Sequence, residues 1–450
     1  MSGGGDTIAA IATPPGKGAI AIVRISGPET KALARRLVQT KRPLRARVAT
    51  YVTICDERGQ RLDRALAIRF RAPHSYTGEE MLELQLHGSP VLAREVMRAL
   101  LACGARLAEP GEFTRQAFLN GKMDLHAAAA VADVVSAETS AAVRAAFANL
   151  GGGLASEVER IRESLRAMLE ELAAAIDFPD EVAEPPRPRL EAGVASLLER
   201  LERLRHDGEL GQLLREGVGV AIVGPPNAGK SSLLNALLGS DRAIVSELPG
   251  TTRDTIEETI AIDGVPVRLV DTAGIRAHAD RLEGAGIERT QRALAAARII
   301  VLVIDGSVPA GGESTELLAR TEGRERIVFF NKADLGTRGC PVPPIAGSVV
   351  GSVYDGRTLT ALRAAIARTG WRGERLDLSR PHLAALHEFE AVNAAIDALE
   401  GACAALRQGH PMDFAAGELQ RAFSSLGHVS CREGAEDIIG GIFSRFCIGK

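Results

Sequence analysis

The stretch GPPNAGKS, Gly224–Ser231, lies between the apolar run VGVAIV and the leucine-rich segment SLLNALLG. It matches G-x-x-x-x-G-K-[ST] in the context that gives the pattern meaning, a strand before it and a helix after it. Glycines let backbone N–H groups close around phosphates, and the helix N-terminus adds its partial positive charge. This arrangement constrains the fold to a parallel sheet covered by helices. Other near-continuous apolar runs in the same region, VPVRLVDTAG, RIIVLVIDG, RIVFFNKAD and PIAGSVV, read as further strands of such a sheet. Lys230 is placed to reach the β/γ-phosphate oxygens, and Ser231 offers a hydroxyl to Mg²⁺. Asn227, Ala228, Gly229 and Ser232 complete the expected phosphate-binding set.

Three further elements follow in the order a GTPase requires. GTTRD (250–254) supplies threonines in a loop after the first helix, with Thr252 for Mg²⁺. Asp271, Thr272, Ala273 and Gly274 end a strand where the γ-phosphate is sensed. NKAD ends another strand, and Asn331, Lys332 and Asp334 favour guanine, whose N1 and N2 donors need an acceptor such as Asp334. The last guanine loop falls at Ser352 and Val353, in a SVYD sequence that departs from the usual Ser-Ala-Lys.

Ile275 follows Gly274, where signalling GTPases carry the glutamine that orients the attacking water. Either hydrolysis is poor or other residues do this work. Asn227 either stabilises its turn or ligates a monovalent cation beside the β/γ bridge, with Ser246, the Leu248 carbonyl and Thr251 as further oxygen donors. Glu283, in a glycine-containing segment a dozen residues beyond Asp271, either is a solvated acid or swings in to orient the water. The catalytic candidates are therefore Glu283, Lys230 and Asp271.

The rest of the chain has a different texture. Residues 1–120 alternate short strands (TIAAIAT, AIAIVRIS, RALAIRF, MLELQLHG) with turns, and a helix spans 90–103, so this is an α+β unit. Between 121 and 212 the pattern is helical. Leu154, Val158, Ile161, Leu165, Met168, Leu172 and Ile176 form one stripe that Pro179 ends, and a second helix covers about 189–206. Helix resumes from 380. The expected organisation is an α/β P-loop GTPase domain (217–372) inserted into a discontinuous helical domain (121–212 and 380–450), preceded by an α+β domain (1–120).

A net charge of −3 gives no global pull toward polyanions, so nucleic-acid contact needs a local patch. The six cysteines form no C-x-x-C pair, which suits reduced thiols rather than disulfides or zinc. The N-terminal sequence lacks signal-peptide character, and no uncharged apolar run reaches about 18 residues. A cytoplasmic protein with no membrane association is expected.

Four stretches outside the GTPase motifs, DTIAAIATPPGKGAIAIVRISGP (6–28), GEFTRQAFLNGKMDL (111–125), AAIDFPDE (174–181) and IFSRFCIGK (442–450), resemble the tRNA-modification GTPases of the TrmE/MnmE family. The resemblance covers nearly the whole chain. It implies that the first domain is a folate-binding-like dimerisation domain for 5-formyl- or methylene-tetrahydrofolate, contacted by Arg24, Glu83, Lys122 and Lys450. It implies a homodimer whose two G domains meet, with K⁺ taking the place of an arginine finger and Glu283 positioning the water. It also implies a heterotetramer with an FAD/NADH-dependent subunit that adds aminomethyl or carboxymethylaminomethyl groups to the wobble uridine of certain tRNAs. The chain has no G-x-G-x-x-G after a strand, consistent with a separate flavin subunit. Departures from the family pattern occur at Gln116–Ala117 and at 429–437 (VSCREGAED).

Other functions remain as alternatives: a ribosome-assembly GTPase, although no G-x-x-G loop in a KH setting is evident, or a non-catalytic GTP-dependent scaffold. The run from Lys31 to Arg47 holds seven basic residues and no acid, and either touches tRNA phosphates or is a solvated face. Cys447 reads either as a buried structural cysteine or as a reactive thiol near the one-carbon site, and His74, His87 and His126 show no metal spacing.

Overall fold

The computed structural model describes residues 5–240, 257–271, 297–309, 311–338, 345, 347–374, 377–378, 380–427, 429, 443, 446 and 449. They fall into two compact units. One comprises residues 1–132, 150–190 and 397–450, the other 133–149 and 191–396. Both units include helical segments from 121–212 and from 380 onward.

The first unit holds strands β1 (Ile8–Ile11), β2 (Ile20–Ser26), β3 (Val38–Gln39), β4 (Thr50–Cys55), β5 (Arg61–Phe70), β6 (Met81–His87) and β7 (Arg106–Leu107). They form one sheet in the order β3-β4-β5-β6-β2-β1-β7, antiparallel apart from the β1–β7 pair. β4 lies behind the basic run and is absent from the strands expected from sequence. Helices α1 (Thr30–Leu37) and α2 (Pro90–Ala102) cover one face, burying Val23, Ile25, Val52, Ile54, Leu82, Leu84 and Leu86 with Leu33 and Val96. α2 starts as expected: Ser89 Oγ accepts from the Leu92 N–H, and Pro90 sits in the first turn. Then come α3 (Glu112–Leu119), α4 (Leu125–Ser136), α5 (Ser140–Leu150) and α6 (Gly153–Asp177). The predicted stripe lies on α6, with Leu154, Val158, Ile161, Leu165 and Leu172 fully buried. Ile176, at the last turn before Pro179, is exposed.

α7 (Arg187–Glu216) is longer than the expected helix at about 189–206. Gly208 and Gly211 lie inside it. A Cβ on Gly208 would lie 2.7 Å from Leu383 Cβ, and one on Gly211 1.9 Å from His382 Cδ2. Tertiary packing selects glycine at both points and overrides its helix cost of roughly 1 kcal/mol. The helix ends at Gly217, with φ +71°.

The second unit's sheet comprises β8 (Val218–Val223), β9 (Glu257–Ile262), β10 (Val265–Asp271), β11 (Ile299–Asp305), β12 (Arg326–Asn331) and β13 (Val349–Val350), in the order β13-β12-β11-β8-β10-β9. Every pairing is parallel except the β9–β10 hairpin. β13 keeps only two residues of the expected PIAGSVV strand. Alternate residues of β11 go to opposite faces. Ile299, Val301 and Val303 pack with α8 (Lys230–Ser240) and α10 (Gly356–Trp371), whereas Ile300, Leu302 and Ile304 face α9 (Gly312–Arg320). Burial on both faces explains the uninterrupted apolar runs. α11 (Leu386–Arg407) and α12 (Met412–Gly427) follow, and α12 packs along α6. Among the described residues, no helix is long and apolar enough to cross a membrane.

Candidate functional site

In the second unit, the motif residues gather at the carboxyl ends of adjacent parallel strands, where open α/β sheets bind ligands. β8 runs directly into the phosphate loop. Asp271 pairs in register with Ile222, and Asp305 with Asn331. Gly224 leaves β8 beneath Val303, whose carbonyl oxygen would lie 2.1 Å from a Cβ there. Asn227 sits at φ +60° with its side chain exposed, a conformation asparagine tolerates better than most residues. Ala228 is buried.

Lys230, at the start of α8, is buried, and its Nζ donates to the Gly224 and Pro225 carbonyls at 2.9 and 2.7 Å. The ammonium is therefore held over the loop by the loop's own backbone. Ser231 and Ser232 are exposed in the first turn of α8, where hydroxyls and unpaired backbone N–H groups suit a metal-bound phosphate.

Asn331 links the two ends of the site. It is almost wholly buried; its Nδ2 donates to the Ala228 carbonyl at 2.9 Å, and its Oδ1 accepts from the Val353 N–H at 3.1 Å. One amide thus ties the phosphate loop to the last guanine loop. Gly229 is required beside it, since φ is +100° and a Cβ would lie 2.2 Å from Asn331 Nδ2. Lys332, at φ +63°, donates to Asp305 Oδ2 at 2.7 Å. Burial raises the Asp305 carboxyl, but hydrogen bonds from Lys332 and Ser307 outweigh it and hold the group below its usual value. Asp334 is exposed in a short 3-10 turn (Ala333–Leu335), leaving its oxygens open to a base edge. Ser352 and Val353 are buried, and the Ser352 hydroxyl accepts from the Tyr354 N–H at 3.4 Å. Asp355 caps α10. The loop position expected from SVYD thus lies beside Asn331.

Ser246, Leu248, Thr251, Thr252, Thr272, Ala273, Gly274 and Glu283 lie outside the described residues, as do the Asp271 side chain, Cys447 and Lys450.

A second constellation lies in the first unit. Arg24 on β2 pairs with Glu83 on β6, with Nε and Nη2 donating to Oε1 at 3.0 and 2.9 Å. Arg24 Nη1 also donates to the Gly449 carbonyl at 3.1 Å, which brings Gly449 onto the sheet. The guanidinium lies 5.7 Å from the ring centroids of both Tyr76 and Phe113, within cation–π range. Tyr76 donates to or accepts from Thr114 Oγ1 at 2.8 Å, and burial raises its phenol above the ordinary value. Lys122 Nζ donates to the Pro73 carbonyl at 3.1 Å, on the loop that carries Tyr76. Ser75 Oγ and Gln116 Oε1 are buried with no hydrogen-bond partner among the described residues. Gln116 is one of the departures noted in the sequence. Tyr76, Phe113 and the Gly449 carbonyl were not singled out from sequence. The one available signal was the aromatic residue inside the turn APHSYTG.

Comparisons with known proteins cover nearly the whole chain. The family model for the GTP-binding protein TrmE N-terminus matches residues 7–122, and the model for the MnmE helical domain matches 125–447. The tRNA modification GTPase MnmE of Symbiobacterium thermophilum is 42% identical over 465 residues, covering 99% of this chain and 100% of the relative. That of Chloroflexus aurantiacus is 42% identical over 452 residues, covering 99% and 100%. Among solved structures, Aquifex aeolicus Era bound to GDP and AlF4⁻ matches at 27% identity, covering 40% of this chain and 66% of its own, with a TM-score of 0.28.

Proposed function

Because the chain belongs to the MnmE family of tRNA modification GTPases, we propose that it hydrolyses GTP to drive a C5 modification of the wobble uridine of certain tRNAs. The observation that carries the GTPase half is the set of ties around Asn331 and Lys230, which hold the phosphate loop and the guanine loop in one frame. The tRNA half rests on the family and its full-length match. The flavin-dependent partner subunit, the homodimer, the three-domain division and a cytoplasmic location belong to the same proposal.

Lys230 and the backbone N–H groups of the loop bind the β/γ-phosphates, and Asp334 accepts from the guanine edge. Ser231 and Thr252 would hold Mg²⁺. Asn227, Ser246, the Leu248 carbonyl and Thr251 would hold K⁺. Exposed oxygens on Ser231 and Asn227 fit these hard cations. When bound, the cations supply positive charge beside the β/γ bridge. Charge of that kind from an arginine finger is worth on the order of 10³–10⁵ in rate. Glu283 accepts a hydrogen bond from the attacking water and orients it, taking over from the glutamine that Ile275 cannot replace.

In the first unit, Arg24, Glu83, Lys122 and Lys450 would hold a tetrahydrofolate, which supplies a one-carbon unit when bound. The carboxylate of Glu83 suits a pterin N–H edge, the rings of Tyr76 and Phe113 suit stacking, and the orphaned Ser75 and Gln116 oxygens suit added polar contacts.

Steady-state GTP turnover in KCl and in NaCl tests the cation assignment. Fast turnover in potassium only, abolished in Glu283→Ala with GTP binding retained, is expected. Equal rates in both salts would remove the potassium site from the account.

A further inference from the structure

An open groove of about 1030 Å³ runs along the β4 side of the first unit's sheet. Its walls carry Lys41, Arg42, Arg45 and Arg64, and Tyr51 lies within it with 65% of its surface exposed. Strand register explains the placement. Tyr51 is opposite Leu66 and Thr53 opposite Arg64, all on the sheet face away from α1 and α2, whereas Val52, Ile54, Ala65 and Ala67 point into the core.

Charge in this region is not balanced locally. Among the described residues, Lys41, Arg42, Arg45 and Arg64 make no ion pair. The nearby acids are engaged elsewhere: Glu80 with Lys31 and Arg69 at 3.3 and 3.0 Å, Asp63 with His87 at 2.8 Å, and Asp56 with the backbone N–H groups of Arg58 and Gln60. The segment is also held in place. Thr40 Oγ1 both donates to the Arg42 carbonyl and accepts its N–H, and Arg47 Nη2 donates to the His74 carbonyl. A solvated face would tolerate acids among its bases and would gain nothing from an exposed tyrosine. Unpaired cations around an exposed aromatic ring form the combination that binds a nucleic-acid backbone while stacking an unpaired base.

We propose that this groove docks RNA, with Lys41, Arg42, Arg45 and Arg64 on the phosphates and an unpaired base on Tyr51. The proposal rests on the reading of tRNA as substrate and adds to it the surface that holds the RNA. The ligand chemistry is a polyanion with accessible π-faces, which a single-stranded loop presents and neither an acidic peptide nor a phospholipid headgroup does.

The test is fluorescence anisotropy of a labelled anticodon stem-loop RNA against the full-length protein across a KCl series. Thermal unfolding and dimer mass certify each variant. Replacing Lys41, Arg42, Arg45 and Arg64 together by alanine should weaken binding at least tenfold and reduce the salt slope by roughly three, since each lost phosphate contact removes about 0.7–0.9. Tyr51→Ala should weaken binding about tenfold without changing the slope, while Tyr51→Phe should retain it.

If the wild type binds the RNA and the quadruple variant binds it equally with the same slope, the surface is wrong and the functional reading stands. A wild type that binds no RNA at any salt overturns both. A folded quadruple variant that is monomeric where the wild type is dimeric makes the groove an interface between copies. Equal affinity of the wild type for anionic phosphatidylserine vesicles and for the RNA makes it a membrane surface. Either result overturns the proposal.

Discussion

Asn331 positions two loops at once. Its amide satisfies the Ala228 carbonyl and the Val353 N–H in a buried setting. Asn331→Ala leaves both groups unpaired, at about 1–3 kcal/mol each. GTP and GDP affinity, measured with a fluorescent nucleotide, should fall more than tenfold along with the thermal midpoint. Retained affinity would mean that the ties are incidental. Asp305 makes a different prediction. Its folded-state carboxyl lies below the usual value, so its stabilisation is present above the unfolded value of about 3.9 and is lost as pH falls through the folded one. Asp305→Asn should therefore be less stable than the wild type at neutral pH, with the gap closing below about pH 4 in thermal scans. Single-residue chemistry was well marked in the sequence for the nucleotide site, because GPPNAGKS and NKAD are contiguous and each carries its own donors and acceptors. The Arg24 cluster was only half legible. Arg24 and Glu83 came from the family resemblance, but Tyr76, Phe113 and Gly449 meet them only through long-range folding, with Gly449 lying 425 positions away.

Elements were legible where their period was uninterrupted. The α6 stripe and the apolar strands β8, β10, β11 and β12 were legible in the sequence, whereas β9 was not among the expected strands. α7 runs past the expected end near 206, and the two glycines just beyond that point are packing residues. This makes two glycines behave oppositely. Gly211→Ala should be destabilising, since a clash 1.9 Å from His382 outweighs the gain in helix propensity of roughly 1 kcal/mol. Gly417→Ala, on an exposed turn of α12 with nothing within 4 Å of its Cβ, should stabilise by about 0.5–1 kcal/mol. Urea unfolding of the two variants measures both signs. β4 escaped detection for a related reason. The basic run before it reads as loop, and its pairing with β5 over six positions is set by tertiary partners.

At the scale of the whole molecule, a phosphate-loop unit and a unit carrying an arginine–aromatic cluster share one chain, with the polypeptide passing between them through α4, α5, α7 and α11. The order of helices, then a sheet-rich stretch, then helices was visible in the change of texture along the chain. The division of the helices between two units was not, because helix periodicity reports a buried face without naming the partner that buries it. GTP hydrolysis at the Asn331–Lys230 site, placed in the service of tRNA modification, has a measurable consequence in the cell. The most direct test is mass spectrometry of wobble-uridine nucleosides in tRNA from cells with and without this gene. Without the gene the aminomethyl-type C5 modification should be lost, restored by the wild-type chain and not by Asp271→Asn. An unchanged nucleoside profile without the gene would contradict it.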